Sequence, residues 1–328
     1  MITTTRTIRF SLVATLTLFM STLANAQLSN SGRSTPKVPD TGLHAILLGT
    51  GIPLPNPERA TASTLIVAGG RTFMVDTGFN SVSRLNENGY QRVDHVLFTH
   101  FHIDHYGDLD RLLFSRGGGG AESVPLSVLG PKGTKAVIHK VVASVAIDEK
   151  YRLEHHGEHW SPKAMQATTQ EFEPGVIFDE DGIKVTMFLV DHEPIEVAVG
   201  YRFEYEGKSI VVSGDTKRSE SLIEAAKDCD LLIHEAMNGT VLNAVLPALK
   251  RGNPRGGAML EDLMEVHTST LDVAEIAKLT NAKKLVLTHL VPSIAPEDAQ
   301  EKNFVRGMSD IYPGPITVGR DNMIFTVE

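Results

Sequence analysis

Short runs of hydrophobic and β-branched residues recur along the chain, and glycine, aspartate or other polar residues interrupt them. Such runs predict β-strands, here at residues 44–48, 63–67, 71–75, 95–99, 184–190, 197–205, 209–213, 231–234 and 284–288. A helical repeat of hydrophobic positions predicts helices at residues 134–151, 219–227, 258–266, 269–280 and 296–307. Ser219 and Ser269 are suited to cap their helices, and Pro296 is suited to a first turn. Strands interspersed with helices indicate an α/β layered fold.

Side chains with metal-binding chemistry follow four of the predicted strands. His100 comes after the run VLFT, His192 after FLVD, Asp215 after VVSG and His289 after LVLT. Strands that end at one edge of a sheet bring the residues that follow them to a common rim. We therefore expect these four segments to converge on one site.

The densest group of these residues is the pattern H-x-H-x-D-H at residues 100–105. In extended chain, His100 and His102 point to the same side, so both imidazoles can reach one cation. Asp104 and His105 follow and can turn toward a second cation. Imidazole nitrogen and carboxylate oxygen are ligands that suit Zn²⁺, and Mn²⁺ or Fe²⁺ would also fit.

The N-terminus has the features of a secretory signal peptide. Arg6 and Arg9 precede an apolar run at residues 10–20, and Ala24-Asn25-Ala26 forms a small-x-small cleavage site. This run is shorter than the roughly 20 residues of a membrane-spanning helix. We expect a signal peptide at residues 1–26, a flexible leader at 27–42 and a single domain at 43–328. The mature protein is then periplasmic or secreted, without a membrane anchor.

Charge and cysteine content narrow the expected partners. The chain has a formal charge of −9, and removal of the two arginines before residue 27 would bring it to −11. Nucleic acid binding needs clustered cations, and no dense cluster is evident, so we expect no nucleic acid partner. The single Cys229 permits no internal disulfide and lies in an apolar run, which indicates a buried structural thiol.

These motifs resemble those of the metallo-β-lactamase superfamily, over essentially all of residues 43–328. Asp76 in FMVDTG matches the superfamily's first motif, and the pattern at residues 100–105 matches its second. The resemblance implies a four-layer αβ/βα sandwich. It further implies that His100, His102 and His192 hold one metal, that Asp104, His105 and His289 hold another, and that Asp215 bridges the two. It places Asp76 behind the ligands, where it would orient their imidazoles.

Within the superfamily, the runs SGDT and HEA at residues 213–236 and the segment HTST at 267–270 resemble ribonuclease Z and its relatives, which include secreted arylsulfatases. By this resemblance His267 is catalytic and donates to the leaving group, Glu235 is a second catalytic candidate, and His234 lies behind the ligands. Asp104 is catalytic as a ligand that would also orient the attacking hydroxide. Ribonuclease Z carries a long arm that binds transfer RNA between the residues matching His192 and Asp215. Only 22 residues separate them here, so we expect no role in transfer RNA processing.

Two further segments are candidates for substrate contacts. Residues 151–170 contain His156 and Trp160, which we interpret as a wall of the substrate pocket; a solvated loop explains them equally well. Residues 237–258 look like a helical insert with Lys250, Arg251 and Arg255. Its cations, Arg251 among them, would attract an anionic ester, although a solvated helix end is the alternative.

The predicted function is an exported hydrolase that activates water between two Zn²⁺ ions and acts on a small anionic ester. An arylsulfatase is the first expectation, because secretion and the motifs suit that group. The alternative is a phosphodiesterase of ribonuclease Z type without a role in transfer RNA processing. A lactonase, a thioesterase or a metal-binding protein without catalysis remain lesser alternatives, and the oligomeric state stays open.

Overall fold

A computed structural model describes residues 36–118 and 124–328. Residues Pro36–Glu328 form one compact unit. The predicted signal peptide and the first part of the predicted leader lie outside the described residues, so both stay predictions, and so does export. Among the described residues, every helix is too short or too polar to cross a membrane.

The first β-sheet has a mixed topology. Its strands are β1 (Leu43–Gly49), β2 (Ser63–Ala68), β3 (Arg71–Val75), β4 (His95–Leu97), β5 (Leu126–Gly130), β6 (Ala167–Glu171) and β14 (Ile324–Val327). They lie in the order β14-β1-β2-β3-β4-β5-β6. Pairs from β14 to β3 are antiparallel, and pairs from β3 to β6 are parallel.

The second sheet repeats this arrangement. Its strands are β7 (Gly175–Glu180), β8 (Ile183–Val190), β9 (Ala198–Tyr205), β10 (Lys208–Val212), β11 (Leu231–Met237), β12 (Leu285–Val291) and β13 (Ile316–Val318). They lie in the order β13-β12-β11-β10-β9-β8-β7. The four strands from β10 to β13 are parallel, and the pairs from β7 to β10 are antiparallel.

Helices cover the outer faces of both sheets. Those packed on the first sheet include α1 (Ser81–Glu87), α3 (Leu109–Gly118) and α4 (Thr134–His156), and the short α2 (Ile103–Tyr106) precedes α3. Those packed on the second sheet are α5 (Glu220–Ala225), α8 (Thr270–Leu279), α9 (Asp298–Phe304) and α10 (Met308–Ile311). Between β11 and α8, α6 (Gly239–Gly252) and α7 (Pro254–Val266) form a helical hairpin.

Three hydrophobic clusters hold these layers together. One lies between the two sheets and contains Leu47, Phe73, Tyr201 and Phe203, all essentially without solvent exposure. The other two fill the spaces between each sheet and its helices. The layer order is therefore helix, sheet, sheet, helix, which confirms the predicted four-layer sandwich.

The predicted helix caps can be checked directly. The Ser219 side chain accepts a hydrogen bond from the backbone N–H of Leu222, and the Ser269 side chain accepts one from Asp272. Both serines therefore cap their helices as predicted. Pro296 was placed wrongly in a first turn, because α9 starts at Asp298 after the cap residue Glu297.

We predict that the Cys229 thiol does not react with a disulfide reagent such as DTNB in the folded protein at about pH 8. The side chain is fully buried, and burial raises the pKa of the thiol to about 12, so the nucleophilic thiolate is not populated. The measurement is the absorbance of the released thiol. Unfolding in concentrated guanidinium chloride should expose one thiol per chain, and rapid reaction without denaturant would contradict the prediction.

Candidate metal centre

The loop after β3 turns at Asp76, which has a positive φ of 60°. The Asp76 carboxylate is buried and accepts two hydrogen bonds from Thr99, from the backbone N–H and from the hydroxyl, both at 2.8 Å. The same carboxylate lies 2.8 Å from Nδ1 of His105. Asp76 therefore orients the His105 ring so that Nε2 faces away from it.

The segment after β4 brings four predicted ligands into a small volume. His100 is fully buried, and its Nε2 lies 2.9 Å from Nδ1 of His102. Asp104 and His105 occupy the first turn of α2 and are also buried. Nε2 of His105 lies 3.6 Å from the Asp104 carboxylate.

The second sheet contributes His192 and Asp215 from the loops after β8 and β10. Nδ1 of His192 lies 3.0 Å from the carbonyl oxygen of Val266, which favours the proton on Nδ1 and leaves Nε2 as an electron-pair donor. That Nε2 lies 3.4 Å from Nδ1 of His102. Gly214 has a φ of 65°, and a Cβ there would lie 2.6 Å from the Val199 carbonyl oxygen, so the turn before Asp215 requires glycine.

The sequence suggested that His289 follows a strand. In the structure His289 lies within β12. The pairing of β11 with β12 skips this residue, which makes His289 the extra residue of a bulge with a φ of 42°. Bulges redirect side chains near functional sites. Nε2 of His289 lies 3.3 Å from the carboxylate of Asp104 and 3.3 Å from that of Asp215.

The donor atoms form overlapping groups whose members lie within 4.8 Å of one another. The groups are His100, His102 and His192; His100, His105 and Asp215; Asp104, His105 and His289; and Asp215, His267 and His289. Nε2 of His105 and Oδ1 of Asp215 are buried and have no hydrogen-bond partner. Buried polar atoms without partners are costly, and nitrogen and oxygen donors suit divalent metals, so these residues fit divalent cations.

The protonation of these groups agrees with this fit. Burial lowers the pKa of His100 well below its ordinary value, so its imidazole is neutral and can bind a cation. For His105 burial has the same effect, but the carboxylates of Asp215 and Asp76 outweigh it and raise the pKa well above the ordinary value. These carboxylates favour positive charge at His105, which a cation bound at Nε2 would supply in place of the proton.

Glu235 and His267 form a pair beside the candidate metal ligands. The buried Glu235 carboxylate accepts a hydrogen bond from the Thr268 backbone N–H at 2.8 Å and lies 3.3 Å from Nδ1 of His267. Burial lowers the pKa of His267, but the Glu235 carboxylate opposes it and raises the pKa to about 9. The His267 ring stacks on His289 with 5.3 Å between centroids. A protonated imidazole is thus held at the edge of the donor cluster.

His234 and Trp160 are both buried. His234 is buried in β11, with Nδ1 2.6 Å from the Glu235 carbonyl oxygen. Trp160 is 7% exposed and packs against Phe114, with Nε1 3.2 Å from the sulfur of Met165, which indicates a role in packing.

His156 and Arg251 occupy the ends of two long helices. α4 begins next to Phe101 and runs for 23 residues, about 34 Å, to His156 at its other end. Arg251 is exposed in the last turn of α6. Substrate contact by His156, Trp160 and Arg251 stays a prediction, and no contact to the donor cluster supports it for His156 or Trp160.

Two side chains that form hydrogen bonds in the loop after β1 were not predicted. The Thr61 hydroxyl donates to the carbonyl oxygen of Asp104 at 2.6 Å and accepts from the Phe79 backbone N–H at 2.7 Å. The Asp321 carboxylate accepts from the backbone N–H of Ala60 at 2.7 Å. These bonds join the loop after β1, the segment after β3 and the ligand segment. A single threonine or aspartate outside any motif offers no signal for such a role.

Comparisons with known proteins place this architecture among described families. Residues 71–290 match the family described as "Beta-lactamase superfamily domain". A ribonuclease Z of Mycobacterium bovis is 31% identical over 283 residues, which cover 85% of this chain and 96% of the relative.

Solved structures show the same fold. The metallo-beta-lactamase fold protein YhfI from Bacillus subtilis has a TM-score of 0.61 at 20% identity. The match covers 86% of this chain and 98% of the YhfI chain. Human tRNase Z, short form, has a TM-score of 0.60 at 21% identity. The match covers 87% of this chain and 99% of the human chain.

The comparisons correct two expectations. An arylsulfatase is the wrong first expectation, because relatives that share most of the chain's length are ribonucleases Z. The expectation of no nucleic acid partner is wrong for the same reason. It relied on the net charge of −9, which is a sum over the whole chain and does not report how charge is distributed locally.

We predict that Asp215→Asn lowers the bound metal from about two ions per chain to one or fewer, because the amide removes the shared negative charge. Metal content after dialysis against Zn²⁺ is measured by mass spectrometry. The matched control is Asp181→Asn, which makes the same change at an exposed residue that pairs with Arg71. Equal metal content in wild type and Asp215→Asn would contradict the bridging role.

We predict that Thr61→Val destabilises the protein by about 1–3 kcal/mol, because the buried carbonyl of Asp104 loses its donor. Metal affinity should fall as well, since Asp104 is then less well positioned. Urea unfolding and a competitive zinc titration measure the two effects. Thr61→Ser keeps the hydroxyl and should restore both; a valine variant equal to wild type in both would exclude a positioning role for Thr61.

Proposed function

The chain belongs to the metallo-β-lactamase superfamily and has ribonucleases Z among its homologues, and we propose that it is a metal-dependent phosphodiesterase that cleaves RNA. The observation that carries the proposal is the buried cluster in which Asp215 lies 3.3 Å from both His105 and His289. The relatives named ribonuclease Z support a phosphodiester bond in RNA as the target.

Zinc is the metal that we propose, because five imidazoles and two carboxylates form the predicted ligand set. Two such cations, when bound, would supply Lewis acidity and an activated water. His100, His102 and His192 would hold one of them, and Asp104, His105 and His289 the other. Asp215, whose carboxylate lies 3.3 Å from His105 and His289 and 4.0 Å from His192, would contribute to both.

His267 is the residue that we propose as the proton donor to the leaving oxygen of the cleaved ester. Its Nδ1 faces Glu235, which leaves Nε2 as the ring nitrogen available to a substrate. A carboxylate that keeps an imidazole protonated makes it a competent acid at neutral pH. Glu235 thus acts through His267 and is itself held by the backbone N–H of Thr268 at 2.8 Å.

We expect the purified protein to cleave RNA and bis-p-nitrophenyl phosphate, to lose both activities on chelation and to regain them with Zn²⁺. The substrates are a labelled unstructured RNA, a precursor transfer RNA transcript, bis-p-nitrophenyl phosphate and p-nitrophenyl sulfate. Rates are measured on protein of known metal content, with Asp215→Asn as the inactive reference.

The comparison among substrates makes this experiment decisive. Cleavage of either RNA above the Asp215→Asn background supports the proposal. Absence of cleavage of both RNAs, by protein that carries about two metals per chain, would overturn it, whether or not the diester is cleaved. A preference for the precursor over the unstructured RNA would identify folded RNA as the substrate class.

A further inference from the structure

The helical hairpin of α6 and α7 is anchored at the candidate metal centre by both of its ends. α6 starts directly after β11, the strand that carries Glu235, and α7 ends at Val266, next to His267. The carbonyl of Val266 is the one that lies 3.0 Å from Nδ1 of His192. The first helix has 14 residues, so the tip of the hairpin lies about 20 Å from this base along the helix axis.

Apolar contacts fix the base of the hairpin against the rim of the site. Leu242 of α6 is buried with Ile52 of the loop after β1, with Met237 and with Val291 at the end of β12. Leu260, Leu263 and Met264 of α7 pack partly against the same cluster. The hairpin therefore extends the rim of the site and is packed against it by a hydrophobic cluster.

Several contacts hold the two helices together at the tip of the hairpin. The Asn253 side chain caps α7 by accepting from the Gly256 backbone N–H at 3.0 Å. Gly257 lets the two helices touch, because a Cβ there would lie 2.5 Å from Cγ of Lys250. Lys250 also forms an ion pair with Glu261 across the two helices.

Charge at this tip differs from charge over the rest of the chain. Residues 236–260 contain three cations and no carboxylate, in a chain with 40 acidic residues and a net charge of −9. Arg251 and Arg255 are exposed, and neither forms an ion pair with a described carboxylate. The tip therefore presents two uncompensated guanidinium groups to solvent.

Cations in the neighbouring loops are compensated. Lys217, two residues after Asp215, pairs with Asp191 and Glu193 at 3.5 and 3.7 Å. Lys132, before α4, pairs with Glu196 at 2.8 Å. A polyanion that reaches the metal centre thus meets free positive charge at the hairpin tip and paired charge at these two loops.

We propose that the hairpin tip binds the phosphate backbone of an RNA strand through Arg251 and Arg255, while the strand is cleaved at the metal centre. Guanidinium groups pair with phosphate in a bidentate manner and attract it independently of base sequence. A span of about 20 Å corresponds to several nucleotides, so the tip would contact RNA but not a single nucleotide ester. This inference rests on the proposed function and adds the element that selects a polymer.

The experiment compares two substrates of different length in the double variant Arg251→Ala/Arg255→Ala. For RNA we expect KM to rise about tenfold and the slope of log(kcat/KM) against log salt to become shallower by about 1.4, which is the value for two lost contacts on single strands. For bis-p-nitrophenyl phosphate we expect kcat/KM to stay unchanged, because it is too short to reach the tip.

The matched control is Lys140→Ala/Lys163→Ala, which removes two exposed cations on the side of the first sheet, neither in an ion pair with a described residue. This control should leave the RNA kinetics and their salt dependence unchanged. An unchanged KM for RNA in the arginine variant, or an equal loss for both substrates, would overturn the inference.

The two proposals fail in different ways. If wild-type protein with its metals does not cleave RNA, the proposed function fails. Fluorescence anisotropy of the labelled RNA on the same protein then tests the hairpin alone. Weaker binding in the arginine variant than in the lysine control would support the tip as a polyanion site, and equal binding would exclude it.

Discussion

The buried carboxylate of Asp76 connects the first sheet to the candidate metal centre, because it holds both ends of the segment that carries the ligands from that sheet. The segment at residues 98–102 is outside any strand or helix, so few backbone bonds hold it. Asp76 replaces them with two bonds to Thr99 and a contact to His105. Burial raises the pKa of Asp76, which expresses the cost of placing a carboxylate there. The bonds to Thr99 and His105 offset that cost, and a cation on the far side of the His105 ring would strengthen the second of them.

The donor cluster exists only when the two sheets are packed together. His100, His102, Asp104 and His105 come from the first sheet, whereas His192, Asp215 and His289 come from the second. The apolar cluster between the sheets brings the two sets within bonding distance. Without a bound metal, several of these donors repel one another or have no hydrogen-bond partner. The packing of the two sheets therefore brings together groups whose mutual electrostatic interaction is unfavourable. Metal binding would relieve this conflict, and folding and metal affinity are therefore linked.

Much of the site could be predicted because its chemistry is unusual in sequence. A pattern such as that at residues 100–105 is rare by chance, and its position after an apolar run shows where the chain turns. Strands β3 and β10 were predicted to within one residue of their observed bounds. β6 was missed because its sequence, ATTQE, is nearly all polar and half-buried, so hydrophobicity does not mark it. The bulge at His289 and the hydrogen bonds of the Thr61 hydroxyl were not predicted either, because both depend on contacts between segments that are distant in sequence.

The wrong prediction of substrate has a physical cause of a different kind. A cluster of imidazoles and carboxylates can polarise a sulfate ester or a phosphate ester, and the geometry of the donors does not distinguish the two. Discrimination has to come from surfaces beyond the cluster, and their charge is hidden in a whole-chain sum of −9. The 22 residues between His192 and Asp215 are occupied by β9, β10 and short connections. The α6–α7 hairpin instead extends the rim from the C-terminal end of β11, with free guanidinium groups at its tip. A chain can in this way keep an acidic surface overall and still offer a polyanion one local path to its metal centre.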